Sequence, residues 1–302
     1  MALNLHLLRL FEAVARHQSF SRAAEVLRIS QPAVSKGVRE LEAQLGNPLL
    51  ERGPGGVRLT EAGRILLIHA RAVFSAEQAA EDALDAVRGL RRGTLRIGAS
   101  TTVATYFLPP LLGAFHHASP DIDLRLTSAN TFTVADLLLR RELDIALVEG
   151  PVDDADIHVR SWRDDELVFV AATGHPRALV PQPLRLEDLR DDILVMREPG
   201  SGTRDIAWHA LQRASFTPRR ILEVSGNEAI VRVAAAGLGI GVVSSAVVAD
   251  QIALGRLCRL VIENFSMKRT LTRLSLPNRQ PSPATIAFDR LLDRAAHPEH
   301  QI

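Results

Sequence analysis

Apolar residues recur at helical spacing three times in the first part of the chain. Leu7, Leu8, Phe11 and Val14/Ala15 share one face of a helix predicted over Leu5–Ala15. Ala23, Ala24 and Leu27 do the same over Arg22–Leu27, where either Ser19 or Ser21 offers an N-cap. A third helix starts after Ser30, with Pro32 in its first turn, where a missing N–H costs nothing. It buries Val34, Val38, Leu41 and Leu45 and stops at Gly46. Only Arg28-Ile29-Ser30 separates the second and third helices, which is the layout of a helix-turn-helix. Beyond Gly46, two short extended pieces flank a Gly/Pro tip within Pro48–Leu59, the pattern of a hairpin or wing.

From Thr60 the helical period runs on to about Arg88. Stepping through Leu66, His69, Val73, Ala76, Ala80, Ala83, Val87 and Leu90 gives seven apolar positions in eight, a heptad seam. At about 1.5 Å per residue, such a helix is too long for a small domain to bury at both ends. It reads as a dimerisation rod, the other reading being a core helix of the next domain. From Thr94 strands and helices alternate. Strands are expected over Leu95–Ala99, Ile122–Thr127, Ile145–Val148, Leu167–Ala172, Ile193–Met196, Ile221–Val224 and Ile240–Ser244. Helices are expected over Val103–His117, Val134–Arg141, Arg204–Ala214 and Glu228–Ala236. This predicts two α/β lobes with parallel sheets, to the first of which strand Thr270–Leu276 and helix Pro283–Arg294 return.

Composition removes several classes. With 46% apolar and 24% charged residues, wholesale disorder is excluded. Apolar runs such as Leu167–Ala172 are far short of the roughly 20 residues of a membrane span. No secretory leader is legible, so a cytoplasmic protein without membrane contact is expected. The lone Cys258 allows neither an internal disulfide nor a Cys-rich metal site and reads as a packed thiol. Net charge is +1 overall, but residues 1–60 hold 8 Lys/Arg against 5 Asp/Glu, giving +3. Residues 93–302 hold 23 against 25, giving −2, so a polyanion would bind the first segment.

Enzyme motifs fail on inspection. Gly98-Ala-Ser100 lacks the closing glycine of a nucleophile elbow. Gly200-Ser-Gly202-Thr-Arg has no Lys-Ser/Thr ending, and Gly237-x-Gly239-x-Gly241 precedes a strand where a dinucleotide fingerprint follows one. No cofactor and no metal site is expected.

Two groups of residues have chemistry suited to binding. The exposed start of the third helix offers Ser30, Gln31, Ser35, Lys36 and Arg39. Gln can pair with an adenine edge, Lys can reach guanine, and Ser can bond to phosphate. Gly37, costly within a helix, suggests close approach of a backbone or duplex there. The second group lies where strands end and helices begin: Ser100, Thr101 and Thr102, then Ser201, Gly202 and Thr203, with Ser128, Asn130, Glu149 and Asn227 at equivalent strand ends. Free N–H groups and hydroxyls at helix starts attract anions. Glu149 opposes a doubly charged anion unless it faces away or pairs with an arginine.

Between Phe11 and Gly63 the segments Phe11-Glu-Ala-Val-Ala, Ser19-Phe-Ser-Arg-Ala-Ala, Ser30-Gln-Pro-Ala-Val-Ser-Lys, Leu41-Glu-x-x-Leu-Gly and Leu59-Thr-Glu-Ala-Gly closely resemble the winged helix-turn-helix of LysR-type transcriptional regulators. The order of elements downstream fits as well. The resemblance implies a winged-helix domain over 1–59, a linker and dimerisation helix over 60–92, and a periplasmic-binding-protein-like effector domain over 93–302. Lobe I would take approximately 93–164 and 268–302, and lobe II approximately 165–267. It implies that Gln31, Pro32, Ser35 and Lys36 enter the major groove, that Ser21, Arg22 and Arg39 contact phosphates, and that Arg52 serves the wing. It further implies a homodimer or dimer-of-dimers tetramer on promoter inverted repeats, RNA polymerase as a further partner, and a small carboxylate or oxyanion effector between the lobes. A solute receptor whose first domain makes protein contacts is the reading from another class.

Overall fold

The computed structural model describes residues 3–53, 56–87, 93–277 and 279–296. The chain divides into two compact units, Met1–Glu81 and Asp82–Ile302.

In the first unit, α1 (Leu5–His17), α2 (Phe20–Leu27) and α3 (Gln31–Leu45) pack around Phe11, Val14, Ala23, Val34 and Leu41, all fully buried. The caps are local chemistry. Asn4 accepts from two N–H groups of α1, Ser19 from Arg22 N at 3.3 Å and Ser30 from Ala33 N at 3.4 Å. Of the two serines offered for α2, Ser19 is therefore the cap. Strands β1 (Leu50–Gly53) and β2 (Gly56–Leu59) form an antiparallel hairpin. Glu42 on α3 accepts from Leu49 N and Leu50 N at 2.8 and 3.2 Å, fastening the hairpin to that helix.

Helix α4 (Glu61–Val87) begins by completing this core: Leu67 and Ala70 are buried in it and Phe74 packs beside them. Arg9 covers the Phe74 ring at 4.5 Å and pairs with Glu77 at 2.6 Å. The opposite side of α4 leaves Ile65, Ile68, Val73, Ala76 and Ala80 exposed. The expected seam is therefore shifted at its start, where Leu66 leans on the core and Ile65 and Ile68 face outward. Of the remaining seam positions, the side chains of Ala83 and Val87 and all of Leu90 lie outside the described residues.

The second unit is built on one nine-stranded sheet ordered β4-β3-β5-β11-β6-β9-β7-β8, with β10 also on β6. In lobe I, β3 (Gly93–Ser100) lies parallel to β4 (Ile122–Ala129) and β5 (Ile145–Glu149). A π-helical turn (Val103–Phe107), α5 (Pro109–Ala118) and α6 (Thr131–Leu139) cover this sheet. Lobe II contains β7 (Ile193–Arg197), α7 (Gly202–Arg213), β8 (Arg220–Val224), α8 (Asn227–Ala235), β9 (Ile240–Ser244), α9 (Ser245–Ala253) and β10 (Leu257–Leu260).

Two long strands join the lobes. The first half of β6 (His158–Ala172) pairs antiparallel with β11 (Met267–Ser275), and its second half pairs with β9 and β10. β11 also pairs with β5, so the late strand does return to lobe I. Within each lobe β3, β4 and β5, and β7, β8 and β9, are parallel as expected, and the sheet as a whole is mixed because β6 and β11 run antiparallel to their neighbours. Its register shifts between Leu271 and Thr272, opposite Arg163 and Ser161. Helix α10 (Pro283–Ala296) closes lobe I, with Phe288 edge-on to Phe115 at 5.4 Å. Trp162 on β6 donates to the Leu292 carbonyl at 3.1 Å.

Among the described residues no helix is long and apolar enough to cross a membrane. Nor does any group of three His, Cys, Asp or Glu side chains among them suit a metal ion. The Cys258 thiol lies 3.6 Å from the Ala171 carbonyl, and burial pushes its pKa up.

Candidate nucleic-acid interface and effector cleft

The start of α3 presents a largely polar surface because Val34, Val38 and Leu41 are buried in the core. Ser30, Gln31, Pro32, Lys36 and Arg39 are exposed on it, and Ser21 and Arg22 are exposed on α2. Two residues of this stretch, Ser35 and Gly37, are buried. Ser35 is buried to 8% exposure, and its carbonyl accepts from Arg39 Nε at 3.2 Å. It lines a recess of this surface together with Gln31, Pro32 and Arg39. Gly37 is turned inward: a Cβ there would lie 2.3 Å from Leu10 Cδ1 and 3.4 Å from Leu7 Cδ2. The glycine admits α1, not a duplex. Arg52 stands on β1, with its side chain outside the described residues.

In the second unit the strand ends converge on one carboxylate. Glu149 closes β5 and is 1% exposed. Its Oε2 accepts from the Ser100 hydroxyl at the end of β3. Its Oε1 accepts from Thr102 at 3.1 Å and, across the lobes, from Thr203 on α7 at 3.3 Å. Arg269 on β11 donates to Thr203 Oγ1 at 2.9 Å and brings its guanidinium to 4.0 Å from Glu149. The same arginine is held by Asp165 of β6 at 2.6 Å, which also accepts from Ser244 at 2.9 Å. A buried carboxylate is tolerable only with such pairing and hydrogen bonding.

A second buried arginine bridges the lobes beside it. Arg197, at the end of β7, donates from Nη1 to Thr101 Oγ1 of lobe I at 2.8 Å and to Asn227 Oδ1 of α8 at 3.0 Å. Asn227 in turn donates to Thr102 at 2.9 Å. Glu198 pairs with the same guanidinium at 2.8 Å. Burial opposes ionisation of Glu198, but hydrogen bonds from Arg197 outweigh it and hold the carboxyl below its ordinary range.

The backbones nearly touch here. A Cβ on Gly202 would lie 1.7 Å from the Glu149 carbonyl oxygen, and one on Gly150 would lie 2.6 Å from Gly202 Cα. Gly150 also has φ +92°, which side-chain-bearing residues rarely adopt. Phe132 N donates to the Gly200 carbonyl at 3.2 Å, a main-chain bond between lobes.

Of the strand-end residues read from the sequence, Ser100, Thr101, Thr102, Glu149, Gly202, Thr203 and Asn227 come together. Ser201 is buried as the N-cap of α7. Asn130 caps α6 through Thr133 N at 3.0 Å and hydrogen-bonds to Glu198. Ser128 does not join the cluster: it is exposed on β4, the edge strand. The expectation of hydroxyls held open toward an anion also needs correction, because Ser100, Thr102 and Thr203 already donate to Glu149. That carboxylate does pair with an arginine, Arg269. Arg197, Arg269 and Asp165 were missed. A usable signal existed in β11, where Met267, Arg269 and Leu271 alternate on its buried face.

Comparison with known proteins agrees with this two-part arrangement. Residues 5–64 match the model of the bacterial regulatory helix-turn-helix protein, lysR family, and residues 88–296 match the LysR substrate binding domain. The chain is 36% identical over 288 residues to the RuBisCO operon transcriptional regulator of Allochromatium vinosum, covering 95% of each. A full-length OxyR variant from Pseudomonas aeruginosa superposes with a TM-score of 0.79 at 26% identity, over 98% of this chain and 95% of that one. The CcmR regulatory domain of Synechocystis PCC6803, solved in complex with 2-PG, gives 0.64 at 31% identity over 69% of this chain and 99% of that domain. With a head that exposes its third helix and a two-lobed module closed over buried charge, this chain belongs to the LysR family of DNA-binding transcriptional regulators and is not an enzyme.

Proposed function

We propose that the protein binds promoter inverted repeats as a homodimer or dimer of dimers and responds to a small anion held between its lobes. One observation carries the effector reading: hydroxyls from both lobes and the guanidinium of Arg269 converge on the Glu149 carboxylate. A donor set that stabilises an internal carboxylate has the chemistry to stabilise a ligand carboxylate or oxyanion. Arg197 supplies a second buried cation a short way along the cleft. The complex of CcmR with 2-PG supports an anionic effector, and the Allochromatium relative makes a RuBisCO operon promoter the first operator to test.

On the DNA side, Gln31, Pro32, Ser35 and Lys36 read the major groove, Ser21, Arg22, Ser30 and Arg39 bind phosphates, and Arg52 serves the wing. The exposed apolar side of α4 pairs with a second copy. RNA polymerase is the partner at the promoter, and the protein works in the cytoplasm. Fluorescence anisotropy with a RuBisCO promoter duplex, with and without 2-PG, tests the reading. A ligand-dependent shift in affinity or footprint supports it, and DNA binding indifferent to every carboxylate and oxyanion tried refutes the effector half.

A further inference from the structure

Lobe I contains a cavity of about 480 Å³ between the start of β6, the end of β11, the loop after it and the first turns of α10. It shares no residue with the Glu149 cluster. Its volume is within the range of small-molecule sites, about 300–1,000 Å³. Ile145, Leu274 and Leu276 give it an apolar lining. Around them stand four arginines, Arg160, Arg273, Arg279 and Arg290, against two aspartates, Asp144 and Asp289.

These arginines differ in how far they are satisfied. Arg279 is committed to Asp144 and the Leu143 carbonyl. Arg160 pairs with Asp293 at 3.0 Å, just behind the wall. Arg273, only 4% exposed, spends Nη1 on Asp289 and Nη2 on Asp293, yet its buried Nε has no acceptor. At the rim, the side chains of Arg290 and His158 are exposed and have no bonded partner among the described residues. Counting Asp293 with the wall still leaves one positive charge in excess, in a recess with apolar walls.

We infer that this cavity is a second ligand site, contained in lobe I, for a small organic anion: an oxyanion head, phosphate or carboxylate, on a compact apolar body. The head meets Arg290 and His158 at the rim, and the body covers Leu276 and Ile286. Because Arg160 and Arg273 stand on the two strands that join the lobes, occupancy here touches both of them.

Calorimetric titration of the full chain with phenyl phosphate and, separately, phenylacetate tests the assignment and distinguishes the two heads. At least one probe should show a binding step whose Kd rises tenfold or more in Arg290→Gln and again in the His158→Ala, Arg290→Gln double variant. Both side chains are exposed, so these variants should melt with the wild type. The same step should survive in Thr203→Ala, which alters only the cleft between the lobes. Absence of a step with either probe, a step indifferent to Arg290→Gln and the double variant, or one lost in Thr203→Ala instead would each overturn the inference.

Discussion

Thr203, at the start of α7, donates its hydroxyl to Glu149, at the end of β5, across the two lobes at 3.3 Å. The same oxygen accepts from Arg269 at 2.9 Å, so one hydroxyl links a buried anion to a buried cation. Thr203→Ala leaves both partners short of a bond, which costs about 1–3 kcal/mol. The variant should melt lower than the wild type. It should also need roughly ten-fold more effector for half response, since 1.4 kcal/mol is a factor of ten. A reporter titration together with a melting curve checks both expectations; an unshifted midpoint would place the effector elsewhere.

Glu149→Gln keeps the side-chain shape and one accepting oxygen but removes the charge opposite Arg269. Like-charge repulsion against an incoming anion disappears with it. At an effective dielectric near 20, charges ~4 Å apart interact by about 4 kcal/mol, so even partial relief is measurable. Isothermal titration with 2-PG should give at least tenfold tighter binding in the variant. Equal or weaker binding would show that Glu149 does not oppose the ligand.

Gly202→Ala probes the close approach. Its new methyl would sit 1.7 Å from the Glu149 carbonyl oxygen, and backbone on both sides leaves little room to yield. Overpacking of this kind typically costs about 1–3 kcal/mol. The variant should unfold at lower denaturant concentration, which chemical denaturation followed by circular dichroism measures directly.

Gln31 and Arg22 separate base reading from phosphate binding. Gln31→Ala should lose about 1–3 kcal/mol of discrimination at one base pair. Arg22→Ala should instead weaken all duplexes alike and flatten the salt dependence. Anisotropy with operator and scrambled duplexes at several salt concentrations distinguishes them. If both variants kept the wild-type ratio and slope, α3 would not be the reading helix.

Ala80 is exposed on α4, on the side that carries Ile68, Val73 and Ala76. Ala80→Glu introduces a charge into the proposed helix pair and should dissociate it while both units remain folded. Sedimentation should show a lighter species, with unchanged circular dichroism. A dimer of undiminished stability would mean that copies associate through another surface.

The helices of the head were legible because each has a cap and an amphipathic face of ordinary length: Ser30 and Pro32 mark the start of α3, and Gly46 its end. Parallel strands such as β5 and β9 were legible as apolar runs buried on both faces. What stayed hidden has a common physical origin. The first half of β6, His158–Glu166, carries six charged or imidazole side chains on a strand exposed along much of its length, so no apolar run announces it. Arg197 and Arg269 were passed over because a charge in a strand reads as solvent-facing, whereas Arg269 is held by the distant Asp165 and Arg197 by its neighbour Glu198 together with the distant Thr101 and Asn227. Gly37, for which a backbone or a duplex was the expected close neighbour, meets α1. Helical periodicity places a residue on a face only to within a position or two, and the packing of Leu10 decided the matter.

The two lobes are rooted in one ladder, β6 against β11, and no loop alone separates them. A rearrangement between them must therefore be taken up as shear and twist within paired strands rather than as a swing about a flexible joint. Such a ladder yields most readily where its pairing is already irregular, and that is at Trp162, the residue left over between the Leu271–Arg163 and Thr272–Ser161 pairs. Its indole is tied to the Leu292 carbonyl on α10. Strain passed between the lobes is thus gathered at one point of the ladder, where α10 is bonded directly to it.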